Sequence, residues 1–100
     1  MAKLTLLYGH PDNSAHFEIY YLLTHLELVN AMKGVKKYER TRFPDIEGLA
    51  KSRYYGMDEF WFSDLDALHV GILSIEGKAM MDNLESFPTD DITVMIGIVE

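Results

Sequence analysis

The segment Tyr54-Tyr55-Gly56-Met57-Asp58-Glu59-Phe60-Trp61-Phe62 constrains the fold more than any other part of this chain. Its aromatic residues favour a strand. Alternation places Tyr54, Gly56, Asp58, Phe60 and Phe62 on one face, and Tyr55, Met57, Glu59 and Trp61 on the other. A strand apolar on both faces belongs in the middle of a sheet and needs cover twice over. Leu65 and Leu68 of the following helical stretch assign Phe60 and Phe62 to the helix side. The face with Met57 and Trp61 would then be an exposed apolar patch in a monomer, which marks an interface. Two such sheets facing each other across a two-fold axis would cover it, so a homodimer is expected.

The remaining elements fall in order around this strand. Residues 3–8 are rich in β formers, and Gly9-His10-Pro11-Asp12-Asn13 ends them with turn chemistry. Asp12, Asn13 or Ser14 can cap a helix over 14–32, and Gly34 stands where a helix stop is expected. Residues 35–43 alternate without a greasy face and read as a strand near a sheet edge. A loop follows over 44–53. After the central strand, Ser63 or Asp64 can cap a helix over 65–73. A second helical stretch covers 76–84, and a strand over 91–99 closes the chain with Ile92, Val94, Ile96 and Ile98 on one face. The order βαββαβ predicts an α+β, ferredoxin-like domain: one four-stranded antiparallel sheet with its helices on one face. The 100 residues form one domain, without repeats or linkers.

Composition excludes several functions. A net charge of −7 opposes nucleic-acid binding, which needs a basic surface. Lys36, Lys37, Arg40 and Arg42 are the one basic cluster, and an edge strand accounts for it. With no cysteine there is neither disulfide nor thiolate chemistry. No signal peptide is recognisable, and the longest apolar run, 92–99, is about half a membrane span. A cytoplasmic protein is the expectation. There is no phosphate-binding glycine loop, nucleophile elbow or dinucleotide fingerprint. His10, His16, His25 and His69 lack metal-ligand spacing, so neither metal nor cofactor is expected.

The chemistry concentrates on the first helix. On a regular wheel Phe17, Tyr21, Thr24 and Leu28 form one stripe, with His25 and Met32 along its edge. If that stripe faces the sheet, His25 shares a semi-buried space with Tyr21 and with Tyr8, which lies on the strand face of Leu4 and Leu6. Asp58, on the helix side of the central strand, could orient His25 and complete an acid–base dyad. The alternative is a core histidine bonded to a backbone carbonyl or a tyrosine hydroxyl. Tyr8, Tyr21, Phe60 and Phe62 are the expected ligand-lining residues. Glu59 is expected to pair with a basic residue such as Arg40 across the dimer. Ile19, Leu22, Leu23, Leu26 and Val29 form a second apolar stripe on the far side of the helix. A helix apolar all round is buried all round, which predicts a further contact with another dimer or a partner protein.

Three stretches carry a resemblance over nearly the whole chain: Phe17-x-x-Tyr20-Tyr21-x-x-x-His25-x-x-Leu28, Met32-Lys33-Gly34-Val35-x-x-Tyr38-Glu39, and Glu59-Phe60-Trp61-Phe62-x-x-Leu65-x-Ala67-Leu68. Together they resemble the EthD family, named for a protein of ethyl tert-butyl ether degradation, within the dimeric α/β-barrel superfamily. The resemblance implies a ferredoxin-like protomer, a dimeric barrel and a small-molecule pocket between sheet and helices. It also implies an oxidoreductase or a related cofactor-independent enzyme, of monooxygenase or cyclase/dehydratase type. Its substrate would be a small apolar or aromatic oxygenated compound, with His25 as acid or base. A non-catalytic ligand-binding or accessory protein of an oxygenase or degradation pathway is the alternative. Glu27 stands where the family often has proline, which predicts a straighter helix. Ser74 to Ala79 lack the histidine-rich loop of some superfamily cyclases, so their mechanism does not transfer.

Overall fold

The computed structural model describes residues 1–89 and 91–100. Its elements run β1 (Ala2–Gly9), α1 (Ser14–Tyr20), a π turn (Tyr21–His25), α2 (Leu26–Ala31), β2 (Lys37–Arg42), β3 (Tyr54–Phe62), α3 (Leu65–Leu73), α4 (Ile75–Asn83), a 3-10 turn (Leu84–Ser86) and β4 (Ile92–Ile98). The strands form one sheet in the order β2-β3-β1-β4, antiparallel throughout. This is the expected ferredoxin-like α+β arrangement, with β3 central. No helix among the described residues is long and apolar enough to cross a membrane.

Local chemistry sets the boundaries. Asn13 Oδ1 accepts the His16 N–H at 3.0 Å, and Asp64 Oδ1 accepts that of Ala67 at 2.8 Å. The Ser74 hydroxyl accepts from Gly77 N–H at 3.0 Å and starts α4 directly behind α3. Gly34 adopts φ +85°, the left-handed conformation that closes the helix without a Cβ penalty. Leu4, Leu6 and Tyr8 of β1 interlock with Phe60 and Phe62 of β3 and with Phe17, Tyr21, Val29 and Met32 from the helix above. Leu68 and Met80 complete this core.

Two departures from regular geometry shape the interior. The helix over 14–31 is not regular: Leu26 N–H donates to Tyr21 C=O, five residues back. In a regular helix each four-residue step drifts by about 40°. The wide π turn absorbs that drift and keeps Phe17, Tyr21, His25 and Val29 on one buried line. Thr24, expected to face the sheet, is exposed; Val29, expected on the outer stripe, is buried. Leu26 packs partly against the core as well, and only Ile19, Leu22 and Leu23 of that stripe are fully outward. The second departure lies in β3: Tyr8 pairs with Gly56 but Gly9 with Tyr54, leaving Tyr55 as the extra residue of a bulge. The bulge turns Tyr55 from its expected outer face towards α1, where its ring meets Phe17 at 4.9 Å.

The outer sheet face is more polar than its Met57 and Trp61 suggested. Lys3 and Lys37 stand 5.4 and 4.7 Å from the Trp61 ring centroid, and Lys3 Nζ pairs with Glu59 at 2.7 Å. Glu59 thus finds its cation within the protomer. Arg40, opposite Asp58 in register, lies on the helix side instead and bonds Glu18. On β4 the apolar row pairs with Tyr8, Leu6, Leu4 and Ala2 of β1 but reaches past the helices, leaving Val94, Ile96 and Ile98 exposed.

The α3–α4 junction rests on Gly77, where a Cβ would meet the carbonyl oxygens of Gly71 and Ile72. Gly77→Ala should cost about 1–3 kcal/mol and lower the midpoint of thermal unfolding. An unchanged midpoint would show that the two helices can separate freely.

Candidate functional site

The centre of the site is Asp58, whose side chain is wholly buried beneath the helices. An unpaired carboxylate there would be costly, and four groups offset that cost. Tyr8 Oη donates to Oδ2 at 2.5 Å and Tyr21 Oη to Oδ1 at 2.6 Å. Tyr38 Oη approaches Oδ1 at 3.3 Å and also contacts the Tyr21 hydroxyl. His25 Nε2 lies 3.1 Å from Oδ2 and 3.3 Å from Tyr8 Oη. These donors come from β1, the π turn and β2, so one carboxylate ties the helix to three strands. Such charge-assisted bonds are short and strong.

The arrangement fixes the orientation of the His25 ring. A carboxylate only accepts, so the proton of a neutral imidazole sits on Nε2 and Nδ1 carries the lone pair. Nδ1 is buried and has no partner. Asp58 thus holds one side of the His25 ring while the other is unsatisfied. The tyrosines are the opposite. Burial first, then the charge and hydrogen bond of Asp58, push the Tyr8 hydroxyl far above the ordinary phenol range. The same causes in the same order raise Tyr38. Both keep their protons and act as donors.

A second layer supports the first. Glu18 Oε2 accepts from Arg40 Nη2 at 2.8 Å and from Tyr55 Oη at 2.5 Å. Arg40 also lies over the Tyr21 ring, 3.9 Å from its centroid. Partial burial pushes the Glu18 carboxyl up, but the hydrogen bonds from Arg40 and Tyr55 and the nearby arginine charges outweigh it and hold it low. Phe87, on the segment after the 3-10 turn, closes the opposite side against His25 at 4.7 Å and Tyr8 at 5.1 Å.

Of the residues expected from the sequence, Tyr8, Tyr21, His25 and Asp58 converge on one point. Phe60 is one ring removed, stacked on Tyr38 at 5.2 Å. Phe62 packs elsewhere, beside Gly34 and Gly71. Sequence reasoning missed Tyr38, Arg40 and Phe87 as members. The strand alternation of 35–43 could have found the first two, since Tyr38 and Arg40 share a face. Phe87 sits outside any periodic element and gave no signal. His10 bonds the Ser52 carbonyl oxygen at 2.7 Å, while His16 and His69 are exposed. Among the described residues no cluster of three His, Asp or Glu could hold a metal.

A ferredoxin-like sheet with a histidine, an aspartate and two tyrosines buried under its helices, and a third tyrosine half-buried beside them, defines the class of this protein: a small α+β domain with an internal hydrogen-bonded cluster of titratable side chains. No family model matches the chain. A crystal structure of an EthD family protein from Bacillus halodurans superposes with a TM-score of 0.90 at 29% identity, covering 100% of this chain and 99% of that one. A dimeric ferredoxin-like protein of unknown function from Thermobifida fusca matches with a TM-score of 0.66 at 12% identity, over 98% and 89% of the two chains. An uncharacterised 11.0 kDa protein of the thcB-thcC intergenic region of Rhodococcus erythropolis is 23% identical over 95% of this chain and 91% of its own length. The chain is thus similar in fold and sequence to an EthD family protein, the resemblance its helix and strand motifs carry.

Two predictions follow from the site's electrostatics. Asp58→Ala leaves buried tyrosine and histidine donors without their acceptor and should cost about 3–5 kcal/mol in chemical denaturation. A loss below about 1 kcal/mol would mean that the donors find other partners. Glu18 is held below its ordinary 4.5, so its stabilising contribution is complete above that pH and disappears as pH falls through the lower folded value. Glu18→Gln should flatten this part of the stability–pH curve; an unaltered slope would remove Glu18 from the account.

Proposed function

We propose that this protein is an EthD-like acid–base enzyme acting on a small apolar or aromatic oxygenated compound, without a cofactor of its own. The observation that carries the reading is the bare, buried Nδ1 of a histidine whose Nε2–H is held by Asp58. A base positioned this way takes a proton from a bound hydroxyl or an acidic C–H, and Asp58 stabilises the imidazolium that forms. Tyr8 and Tyr21 keep their protons and hold the carboxylate in place. Proton removal from a phenolic or carbonyl compound gives an electron-rich anion, the common starting point of cofactor-independent oxygenation and of cyclase- or dehydratase-type steps. The oxidoreductase and lyase readings therefore share this step.

A homodimer fits the same picture. The Thermobifida fusca neighbour is described as dimeric, and Val94, Ile96 and Ile98 leave an apolar row on the edge strand of this chain for a second copy to cover.

One observation favours a second reading, a non-catalytic carrier or accessory protein: His25 and Asp58 have no exposed surface at all. Proton exchange separates the two. A panel of small phenols and 1,3-dicarbonyl compounds is titrated by NMR, and deuterium exchange at the acidic position of those that bind is timed. His25→Gln should slow exchange by about 10²–10⁴-fold with little change in Kd. Equal exchange rates in both proteins would end the catalytic reading and leave the carrier.

A further inference from the structure

Phe87 is the most enclosed aromatic ring outside regular secondary structure. Four rings surround it: Tyr8 stacked at 5.1 Å, Phe17 and Tyr20 each at 5.2 Å, and His25 edge-on at 4.7 Å. Of the rings around the imidazole, Phe87 is nearer than Tyr21 at 5.1 Å or Tyr8 at 6.4 Å. All four walls come from β1, α1 and the π turn, which the sheet and helix hold firmly. Phe87 itself belongs to the segment between the 3-10 turn and β4, and its N–H makes a 3.3 Å bond to Leu84 C=O. Beyond it opens a groove of about 420 Å³ lined by Leu84, Glu85, Phe87, Thr89, Ile92 and Val94. A cavity of roughly 150 Å³ suffices for benzene, so the groove has room for a displaced phenyl ring.

We infer that Phe87 is an internal plug that occupies the ring site of the ligand. Tyr8, Phe17, Tyr20 and His25 form a box for one six-membered aromatic ring, and the protein's own phenyl fills it in the closed state. The one thing Phe87 cannot supply is a hydrogen-bond donor for His25 Nδ1, the buried atom left without a partner. A monocyclic phenol supplies both parts: a ring for the box and an O–H for the nitrogen. When Phe87 swings towards the groove, the closed cluster becomes an accessible site. The closure that favoured a carrier is then one state of a gated pocket. The inference rests on His25 acting as the base, as proposed above.

Because the plug competes with the ligand, removing it raises apparent affinity by the inverse of the open fraction. Calorimetry with phenol and benzene, on wild type, Phe87→Ala, the milder Phe87→Leu and the double variant Phe87→Ala/His25→Leu, tests each part. Phe87→Ala should bind phenol about tenfold tighter than wild type or better, with Phe87→Leu between them. It should prefer phenol to benzene, and the double variant should lose that preference. Equal phenol affinity in wild type and both single variants overturns the plug. Equal affinity of Phe87→Ala for phenol and benzene overturns the assignment of Nδ1, since any hole would then do. In the wild type, saturating phenol should speed amide hydrogen exchange over 84–89 while β1 stays protected; unchanged exchange also overturns the plug, and needs no variant to fold. If phenol moves the His25 ring signals in NMR but Phe87 variants bind like wild type, only the plug fails. If phenol moves them in no protein, the acid–base reading fails with it.

Discussion

The buried carboxylate of Asp58 is the constraint on which the interior depends. It lies at the middle of the central strand, under the helices, where water cannot reach it. A charge in that position persists only if hydrogen-bond donors replace its hydration. Those donors lie on β1, on β2 and in the π turn. Sheet register and helix placement are thereby locked by one residue. The same bonds order the titratable side chains: tyrosines under a carboxylate hold their protons, and a histidine that gives one N–H to it leaves its other nitrogen without a partner.

The π turn serves that constraint. A regular helix that buried Phe17 and Tyr21 would carry later residues progressively off the sheet-facing line. The i→i+5 turn returns His25 to that line, beside Asp58. Such turns are rare and concentrate at functional sites. The tension of the wide turn is set against the bonds it makes available, with His25 and Tyr21 at its two ends.

Much of this was legible in the sequence because it rests on periodicity and local chemistry. Caps offered at Asn13 and Asp64, the stop at Gly34 and the two-residue alternation of β1 and β3 give the element order and the helix-side placement of Asp58. The convergence of Tyr8, Tyr21, His25 and Asp58 followed from those faces. What escaped was where regular periods break. The π turn reassigned Thr24 and Val29, and the bulge reassigned Tyr55. The placement of Glu59 and Arg40 required strand register, which alternation alone does not provide. Phe87 was invisible because a residue in a connecting segment has no period to betray its direction.

The position of Trp61 has a practical consequence. It is the only tryptophan of the chain, and it sits on the sheet face turned away from the tyrosines and histidine, flanked by Lys3 and Lys37. Its emission is therefore a natural reporter of that outer surface, sensitive to anything that displaces the two ammonium groups or dries the indole. Events beneath the helices lie on the other side of the sheet. The protein thus carries separate optical channels: indole for the outer sheet surface, tyrosine absorbance for the buried cluster.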